Sequence, residues 1–385
     1  MSNDFQELDR KIFDRELREF LPSKVFDAHV HFFDHSCLVP GTSFPSSHPY
    51  SKFGGTFGPS QYLEWAEGAL PGVELYANHF GHPGMESDRD ASAAYSGRIS
   101  DNRQFFGLAL VAPADTAERA RRRVEQNQLV GFKPYPNFVA DKPVGEVTVH
   151  DMLPAAQMEV ANELGLAIML HIPRPGRLAD PVNQVQMVEL CRRYPNARII
   201  FAHIGRAYFL SNVVGFLDGI AACPNAYIDT AMINHEGVLE YALQNFPRDR
   251  ILFGADAPFS LLRGKSVEIN NQYAYLMGED YDIGTVIFDT DHAVTFTTFF
   301  YEQLRGIRLA AERARLEQRD IEDLFFNNAD RLFRGVTTNN YGEPGGNGSQ
   351  IESTRKAPTG RDIPAQGNAL GMRSKGNPAL KGRDI

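Results

Sequence analysis

Two histidines separated by a single residue, His29 and His31, lie near the start of the chain within the apolar run 25–32. On a β-strand, residues i and i+2 project from the same face of the sheet, so both imidazoles would leave one side of a rigid strand. Two neutral imidazole nitrogens held in this way can share a divalent metal ion. Such a triplet also arises by chance, so it indicates a metal site only if later segments supply further ligands.

Three more residues of metal-ligating type follow later apolar runs. His171, His203 and Asp256 each come directly after a short stretch of apolar residues. Imidazoles and carboxylates bind first-row metals and also act as acids and bases. A buried histidine is usually a core residue, and an aspartate after a strand often caps a helix. The occurrence of all these residues at the ends of apolar runs favours one shared site over those separate explanations.

Eight apolar runs position these residues, and most of them are separated by stretches with helical character. The runs cover residues 24–32, 72–80, 105–112, 129–134, 166–172, 197–204, 225–231 and 250–255. Strands and helices alternating in this way predict a (β/α)8 TIM barrel, in which the carboxyl ends of the strands meet at one mouth. The runs are apolar nearly throughout, as parallel strands buried on both faces should be. A doubly wound open sheet is the alternative, but no glycine-rich phosphate-binding turn follows the first run.

Segments at both termini flank the predicted barrel. Apolar residues at helical spacing among charged ones predict an N-terminal helix within residues 1–22. The barrel would cover residues 23–335. Residues 336–385 are rich in Gly, Pro, Asn, Ser and charge, which predicts a disordered C-terminal tail.

Two connections between the predicted strands are too long to be simple turns. Residues 33–71 and 257–293 both contain many aromatic side chains. In a barrel these loops would lie at the mouth. They would form either a lid and an apolar wall for a substrate or ordinary surface structure, and the sequence does not distinguish the two.

The composition is that of a soluble globular protein with an acidic balance. Of 385 residues, 43% are hydrophobic, and 39 basic against 48 acidic residues give a net charge of −9. This charge disfavours a nucleic-acid partner, which would require a basic face. The three widely spaced cysteines indicate a reducing compartment, and neither a signal peptide nor a membrane-spanning run is visible. We therefore expect a cytoplasmic enzyme.

The motifs at the strand ends resemble those of a known group of enzymes. The segments VFDAHVHF, GFKPYP, IIFAHIG, ILFGADAPF and FFNNADRLF occur in that order between about residue 20 and residue 335. Together they resemble the amidohydrolase-related branch of the amidohydrolase superfamily. The resemblance implies a metal-dependent enzyme and is specific for the superfamily rather than for a substrate.

The resemblance also implies roles for individual residues. His29, His31, His171 and Asp256 are expected to hold one divalent ion, with zinc as the expected metal. Asp256 would also transfer a proton from water to the leaving group. His203, close to the metal, would orient the water or stabilise negative charge.

Candidate substrate-binding residues lie beside these positions. They are Lys133, Tyr135, Arg174, Arg177, Arg206 and Asn234. Arg174 and Arg206, each three residues past a histidine, would suit a carboxylate-bearing substrate, because guanidinium groups pair with carboxylates through two parallel hydrogen bonds. For either arginine alone, an ion pair with a neighbouring loop is an equal alternative. Lys133 lies on the strand where binuclear members of the superfamily carry a carboxylated bridging lysine, although a contact to a substrate anion or a structural ion pair is the favoured expectation.

Three functions remain compatible with the sequence. The first is a hydrolase of a small, carboxylate-bearing lactone, ester or amide. The second is a non-oxidative decarboxylase of an aromatic or muconate-type acid, which would need nearly the same residues. The third is an inactive barrel that serves as a binding protein, which the intact ligand set disfavours. Lookalike enzymes are often homodimers, but no residue of the sequence locates an interface.

Overall fold

The computed structural model describes residues 6–342 of the chain, and within them the eight predicted strands form one parallel sheet. The strands are β1 (Lys24–His31), β2 (Glu74–Phe80), β3 (Phe105–Val111), β4 (Gly131–Pro134), β5 (Ala167–Leu170), β6 (Arg198–Phe201), β7 (Ala226–Asp229) and β8 (Ile251–Leu252). They are hydrogen-bonded in chain order from β1 to β8. The sheet curves into a nearly closed barrel, which confirms the predicted fold class.

Burial on both faces explains why the sequence pattern located these strands so well. Every residue of β3, β4 and β5 is buried, as expected for parallel strands that have side chains inside the barrel and helices outside. The α-helices of the barrel layer and the termini are Glu7–Ile12, Pro59–Ala69, Arg89–Ile99, Ala117–Asn127, Val149–Met152, Ala155–Glu163, Pro181–Arg193, Asp218–Ala221, Glu236–Asn245, Phe299–Arg313, Gln318–Glu322 and Asn328–Tyr341.

The barrel closes between β1 and the segment after β8 through a small number of contacts, which we call the barrel seam (β1 with residues 253–257). His31 N donates to the Ala257 carbonyl at 2.7 Å, and Asp256 N donates to the His29 carbonyl at 2.7 Å. Gly254 permits this approach, because a Cβ added there would lie 2.8 Å from the Cβ of His29. The first and last strands are therefore joined at the level of the histidine pair.

The N-terminal helix packs on the barrel as the sequence predicts. Helix Glu7–Ile12 continues into a π-helical turn, Phe13–Leu17, whose apolar side chains are buried. Asp9 is fully buried and accepts hydrogen bonds from Arg263 at 2.7 Å and from the Thr297 hydroxyl at 2.6 Å. This ion pair fastens the N-terminal helix to the long segment that follows β8.

Both long mouth connections contain regular structure that the sequence analysis treated as loop. The first includes helix Pro59–Ala69. The second forms a three-stranded inserted sheet of β9 (Gly264–Ile269), β10 (Gln272–Met277) and β11 (Thr285–Val286), followed by a hairpin of β12 (Phe288–Asp289) and β13 (His292–Ala293). Strand β9 pairs antiparallel with β10, and the inserted sheet contacts the segments after β6 and β7 through Tyr273 on Tyr208 and Ser266 on Asn234.

The C-terminal boundary of the folded body differs from the prediction. Helix Asn328–Tyr341 extends beyond residue 335, where the tail was predicted to begin. Val336 is fully buried, and the Tyr341 hydroxyl donates to the Leu129 carbonyl at 2.8 Å, so these contacts keep the helix on the barrel despite its polar composition. The rest of the predicted tail, residues 343–385, lies outside the described residues. Within residues 6–342, none of the helices combines the length and apolar character needed to cross a bilayer.

Candidate metal centre

The histidine pair of β1 and the aspartate after β8 meet at the carboxyl end of the barrel. The Nε2 atom of His31 lies 3.1 Å from Asp256 Oδ1, and the Nε2 atom of His29 lies 3.5 Å from the same oxygen. The three ligand atoms lie within 4.8 Å of one another. Residues more than two hundred positions apart therefore form the cluster that the sequence predicts.

Hydrogen bonds on the other ring nitrogens fix the tautomers of three histidines. His31 Nδ1 lies 3.0 Å from the Gly81 carbonyl, and His203 Nδ1 lies 2.9 Å from the Ala231 carbonyl. A carbonyl oxygen only accepts, so each Nδ1 must carry the proton. His29 Nδ1 lies 2.9 Å from an Asp229 oxygen and donates in the same way. Each ring consequently keeps the lone pair on Nε2 available for a metal or a proton.

Asp229 is the main functional residue that the sequence analysis missed. It lies at the end of β7 and is fully buried. One oxygen accepts from His29, while the other accepts from the backbone N–H groups of His203 at 2.7 Å and Ala231 at 3.1 Å. Burial opposes ionisation, but the contacts with His29 and His203 outweigh it and hold the pKa of Asp229 below its usual range. An acidic residue within the seventh apolar run, 225–231, was the available signal.

The electrostatics of the cluster suit metal binding. Burial lowers the pKa of His29 to about 4, so the ring is neutral at pH 7. Burial opposes ionisation of Asp256 as well, but the nearby imidazoles of His29, His31 and His203 hold the pKa of the carboxyl well below its usual range. Neutral imidazoles beside an ionised carboxylate are the protonation states that a metal requires.

His203 lies beside the cluster on an unusual backbone. The short helical turn Ala202–Arg206 has left-handed dihedrals at His203, Ile204 and Gly205. The His203 ring centre lies 4.7 Å from that of His29, and burial lowers the pKa of His203. The ring is therefore neutral beside the candidate metal centre, and its predicted role in orienting a water molecule or stabilising negative charge stays a prediction.

His171 is the one predicted ligand that the structure leaves outside the three-residue cluster. Its ring centre lies 5.2 Å from that of His203 and 6.2 Å from that of Tyr135. Burial and the charge of Arg206 lower its pKa well below the ordinary value. His171 thus faces the same mouth in its neutral form, although its nitrogens are not within 4.8 Å of all three cluster atoms.

The residues of the cluster fit a divalent transition metal. Two imidazole nitrogens and one carboxylate oxygen are a donor set typical of zinc and similar ions. Each imidazole also has the acceptor for its second N–H that metal-binding histidines require. His29, His31 and Asp256 would hold the ion.

Lys133 and Tyr135 project into the same region from β4 and its end. Lys133 is fully buried and its Nζ has no hydrogen-bond partner, while the ring centres of Phe80 and Tyr135 lie 4.4 and 4.9 Å away. Burial lowers the pKa of Lys133 to about 7, against the opposing charges of Asp229 and Asp256. The buried hydroxyl of Tyr135 is also without a partner. Two unpaired polar groups beside a metal cluster are available to a substrate.

Two of the predicted substrate-binding residues are held in structural contacts instead. Arg174 donates to Asp180 at 2.8 Å, and Asp180 caps the helix that begins at Pro181. Asn234 Oδ1 accepts from the N–H and hydroxyl of Ser266 at 3.0 and 3.1 Å, and its amide donates to the Phe299 carbonyl. These contacts anchor a mouth loop and the inserted sheet.

Asp27 is a second buried acid that the sequence analysis passed over. It accepts hydrogen bonds from the backbone N–H groups of His29 at 3.0 Å and Ala255 at 2.8 Å and from the Tyr62 hydroxyl at 2.6 Å. Burial raises the pKa of Asp27 to about 7. Asp27 bridges the barrel seam and helps to place the cluster.

The fold is a barrel with a candidate metal centre at its mouth, and the chain belongs to the amidohydrolase family, whose model matches residues 26–335. No curated protein matches the chain by sequence. Among solved structures, an amidohydrolase from Burkholderia multivorans is similar, with 14% identity and a TM-score of 0.52 over 80% of this chain and 98% of that one.

Two further solved structures share the fold. The 2,6-dihydroxybenzoate decarboxylase from Rhizobium is 14% identical with a TM-score of 0.51, over 81% of this chain and 99% of that one. A dihydroxybenzoic acid decarboxylase from Polaromonas, which contains bound manganese and 2-nitroresorcinol, is 15% identical with a TM-score of 0.50, over 81% of this chain and 97% of that one. At this identity, the likeness concerns the fold alone.

Proposed function

We propose that the protein is a metal-dependent hydrolase of a small, carboxylate-bearing lactone, ester or amide. The observation that carries this proposal is the convergence of His29, His31 and Asp256 at the barrel mouth, with His203 beside them as a neutral base. Hydrolysis of a carbonyl compound needs a base for water and a group that stabilises the developing negative charge. The described residues offer both.

The proposed metal ligands are His29, His31, His171 and Asp256, and the proposed ion is zinc. His171 is included because its neutral ring faces His203 at the same mouth. When bound, such an ion would lower the pKa of a water molecule and polarise the substrate carbonyl. Asp256 lies within reach of two imidazoles and would accept the proton of the water. His203 would orient the water through its free Nε2 atom.

Lys133 and Tyr135 are the proposed substrate contacts closest to the cluster. The Lys133 ammonium is buried without an acceptor, and the Tyr135 hydroxyl is likewise unpaired. Burial raises the pKa of Tyr135 well above its ordinary value, so this hydroxyl remains a donor at neutral pH. Both groups are suited to an oxygen atom that carries negative charge.

A second candidate function, non-oxidative decarboxylation, is favoured by the surroundings of Lys133. The ring centres of Phe80 and Tyr135 lie within 5 Å of its Nζ, so a cation stands among aromatic faces next to the cluster. Such a lining suits an aromatic acid whose carboxylate faces the metal. Asp256 or His203 would first take up a proton from water and then transfer it to the ring carbon that loses carbon dioxide.

Metal analysis of the purified full-length protein tests the class of function first. After supplementation with zinc, we expect about one ion per chain, as four-ligand sites bind it. The variant His31→Ala should lose the ion, whereas His150→Ala, whose side chain is half exposed and belongs to neither candidate ligand group, should retain it. Binding of less than about one-tenth of an ion per chain would favour the inactive barrel.

Two parallel assays then separate the candidate reactions. Proton release from carboxylate-bearing lactones and esters reports hydrolysis, and carbon dioxide release from aromatic and muconate-type acids reports decarboxylation. Zinc-dependent proton release that disappears with a chelator is the expected result. Carbon dioxide release without hydrolysis would replace the hydrolase proposal with the decarboxylase.

A further inference from the structure

Two arginines at the barrel mouth lack a carboxylate partner. Arg177 lies in the connection after β5, and Arg206 ends the turn after β6. Within residues 6–342, neither forms an ion pair with an acidic side chain. Their recorded polar contacts are long: Arg177 Nη1 to Asn212 Oδ1 at 3.4 Å, and Arg206 Nη1 to the Ile172 carbonyl at 3.2 Å. The Nε atoms of both are buried without a hydrogen-bond partner.

The two segments that carry the arginines pack against each other, since a Cβ added at Gly205 would lie 3.0 Å from the side chain of Leu178. Burial lowers the pKa of Arg177, and the charge of Arg206 contributes to the same shift. Neighbouring like charges with buried, unpaired N–H groups are unfavourable unless an anion compensates them. A planar carboxylate can satisfy guanidinium forks through parallel hydrogen bonds.

Aromatic side chains hold Arg177 in position. Its guanidinium carbon lies 4.4 Å from the ring centre of Tyr273 and 5.3 Å from that of Tyr208, and these two rings stack at 4.6 Å. Tyr273 belongs to β10 of the inserted sheet, which Asn234 anchors to the barrel through Ser266. The inserted sheet therefore supplies one wall of the arginine pair.

The arginine pair adjoins the candidate metal centre without being part of it. The Tyr208 ring centre lies 6.0 Å from that of His203, and the His203 ring centre lies 4.7 Å from that of His29. Both arginines adopt left-handed backbone conformations, with φ of 56° for Arg177 and 60° for Arg206. Such conformations are costly for residues with a Cβ and tend to occur at functional sites.

We propose that Arg177 and Arg206, with Tyr273 as a wall, form a second anion subsite that binds a carboxylate of the substrate remote from the reacting group. This inference rests on the proposed function and narrows it. The substrate class becomes a small diacid, or a lactone or ester derived from one. One end of such a molecule reaches the metal cluster while a free carboxylate occupies the arginine pair.

The subsite can be tested by calorimetric binding of a simple planar diacid, benzene-1,3-dicarboxylate, to the full-length protein. The metal-loaded wild type should bind it with a dissociation constant below about 1 mM. Arg177→Gln and Arg206→Gln should each weaken binding by roughly tenfold to a hundredfold, the loss expected for a charge-assisted hydrogen bond. The control Arg192→Gln, on an exposed helix end, should bind as the wild type does.

Three further measurements show whether the binding depends on the charge of the ligand, on the metal and on the arginines. The corresponding diamide should bind at least about tenfold more weakly than the diacid, because its amides are neutral. The titrations are repeated after chelation to separate the subsite from the metal. The difference in affinity between the wild type and the glutamine variants should persist without metal, even if the metal proposal fails. Arg177→Lys keeps the charge and should show an intermediate affinity.

Three outcomes would overturn the subsite. The first is diacid affinity that is unchanged in both glutamine variants while their thermal midpoints match the wild type. The second is equal binding of diacid and diamide. The third is tighter binding of inorganic phosphate than of the diacid at the arginine pair. That result would make the pair a phosphate site.

Discussion

Replacing Lys133 with methionine should stabilise the fold while impairing activity. The lysine side chain is fully buried, and its ammonium has aromatic faces around it but no acceptor. Methionine has a similar length and no charge, so Lys133→Met removes the penalty of burying an ammonium and leaves the volume nearly filled. The same change removes a proposed contact to the substrate anion.

The size of the effect follows from the pKa of the lysine. Burial lowers that pKa from 10.5 to about 7. At about 1.4 kcal/mol per pKa unit, the folded state carries a penalty of about 5 kcal/mol at pH 6, where the amine is charged in both states. The unfolded chain binds more protons than the folded one between pH 7 and 10.5, so the wild-type stability contributed by this group rises with pH in that window. The advantage of Lys133→Met should therefore shrink from about 5 kcal/mol at pH 6 to about 2 kcal/mol at pH 9.

Denaturant unfolding of both chelated proteins at several pH values measures this difference. Titrating groups that Lys133 does not influence contribute equally to the two proteins, and their contributions cancel. Lys11→Met, which replaces an exposed lysine paired with Glu7, should show no such pH dependence. A stability difference that stays constant from pH 6 to 9 would refute the reasoning, because it would mean that Lys133 titrates normally in the folded state.

Other predictions concern individual carboxylates. Asp256→Asn should reduce turnover by roughly 10²–10⁴-fold, the usual contribution of a general acid or base, while the barrel stays folded by circular dichroism. Asp289→Asn on the exposed hairpin should leave turnover unchanged, and full activity in Asp256→Asn would remove this residue from the mechanism. Asp229→Asn should weaken metal affinity roughly 10–100-fold in a competition titration, because an amide NH2 facing His29 would move the ring proton to Nε2, whereas unchanged affinity would argue against tautomer control. Asp9→Ala should lower the free energy of unfolding by roughly 3–5 kcal/mol, because it removes one partner of a buried ion pair with Arg263. A loss below about 1 kcal/mol in denaturant unfolding would show that the pair is dispensable.

The barrel was predictable from sequence because its strands are buried on both faces. Continuous apolar runs mark such strands, and polar residues at or near their ends were visible as candidate ligands. Of these, His29, His31 and Asp256 come together as predicted. Asp229 was missed because a lone acid at a strand end looks like any helix cap until its partner on β1 is known. Its role depends on a contact across 200 positions of sequence.

The inserted sheet and the end of the last helix were less predictable for other physical reasons. Strands β9 and β10 are half exposed with mixed polarity, so their pattern resembles that of a loop. The helix beyond residue 335 is stabilised by contacts of Val336 and Tyr341 with the barrel rather than by intrinsic helix propensity. Arg174 donates to Asp180, whereas Arg177 forms no such ion pair. This difference depends on the geometry of the loop, which the sequence spacing of the arginines does not specify.

The barrel seam joins the first strand of the sheet to the segment that follows the last strand. The backbones of His29, His31 and Asp256 form the hydrogen bonds that close the barrel. Their side chains meet at one candidate metal centre. An ion held there would act as a cross-link at the barrel seam. Removal of the ion should loosen the barrel seam first. Amide hydrogen exchange along β1 should therefore be faster in the metal-free protein than in the metal-loaded protein.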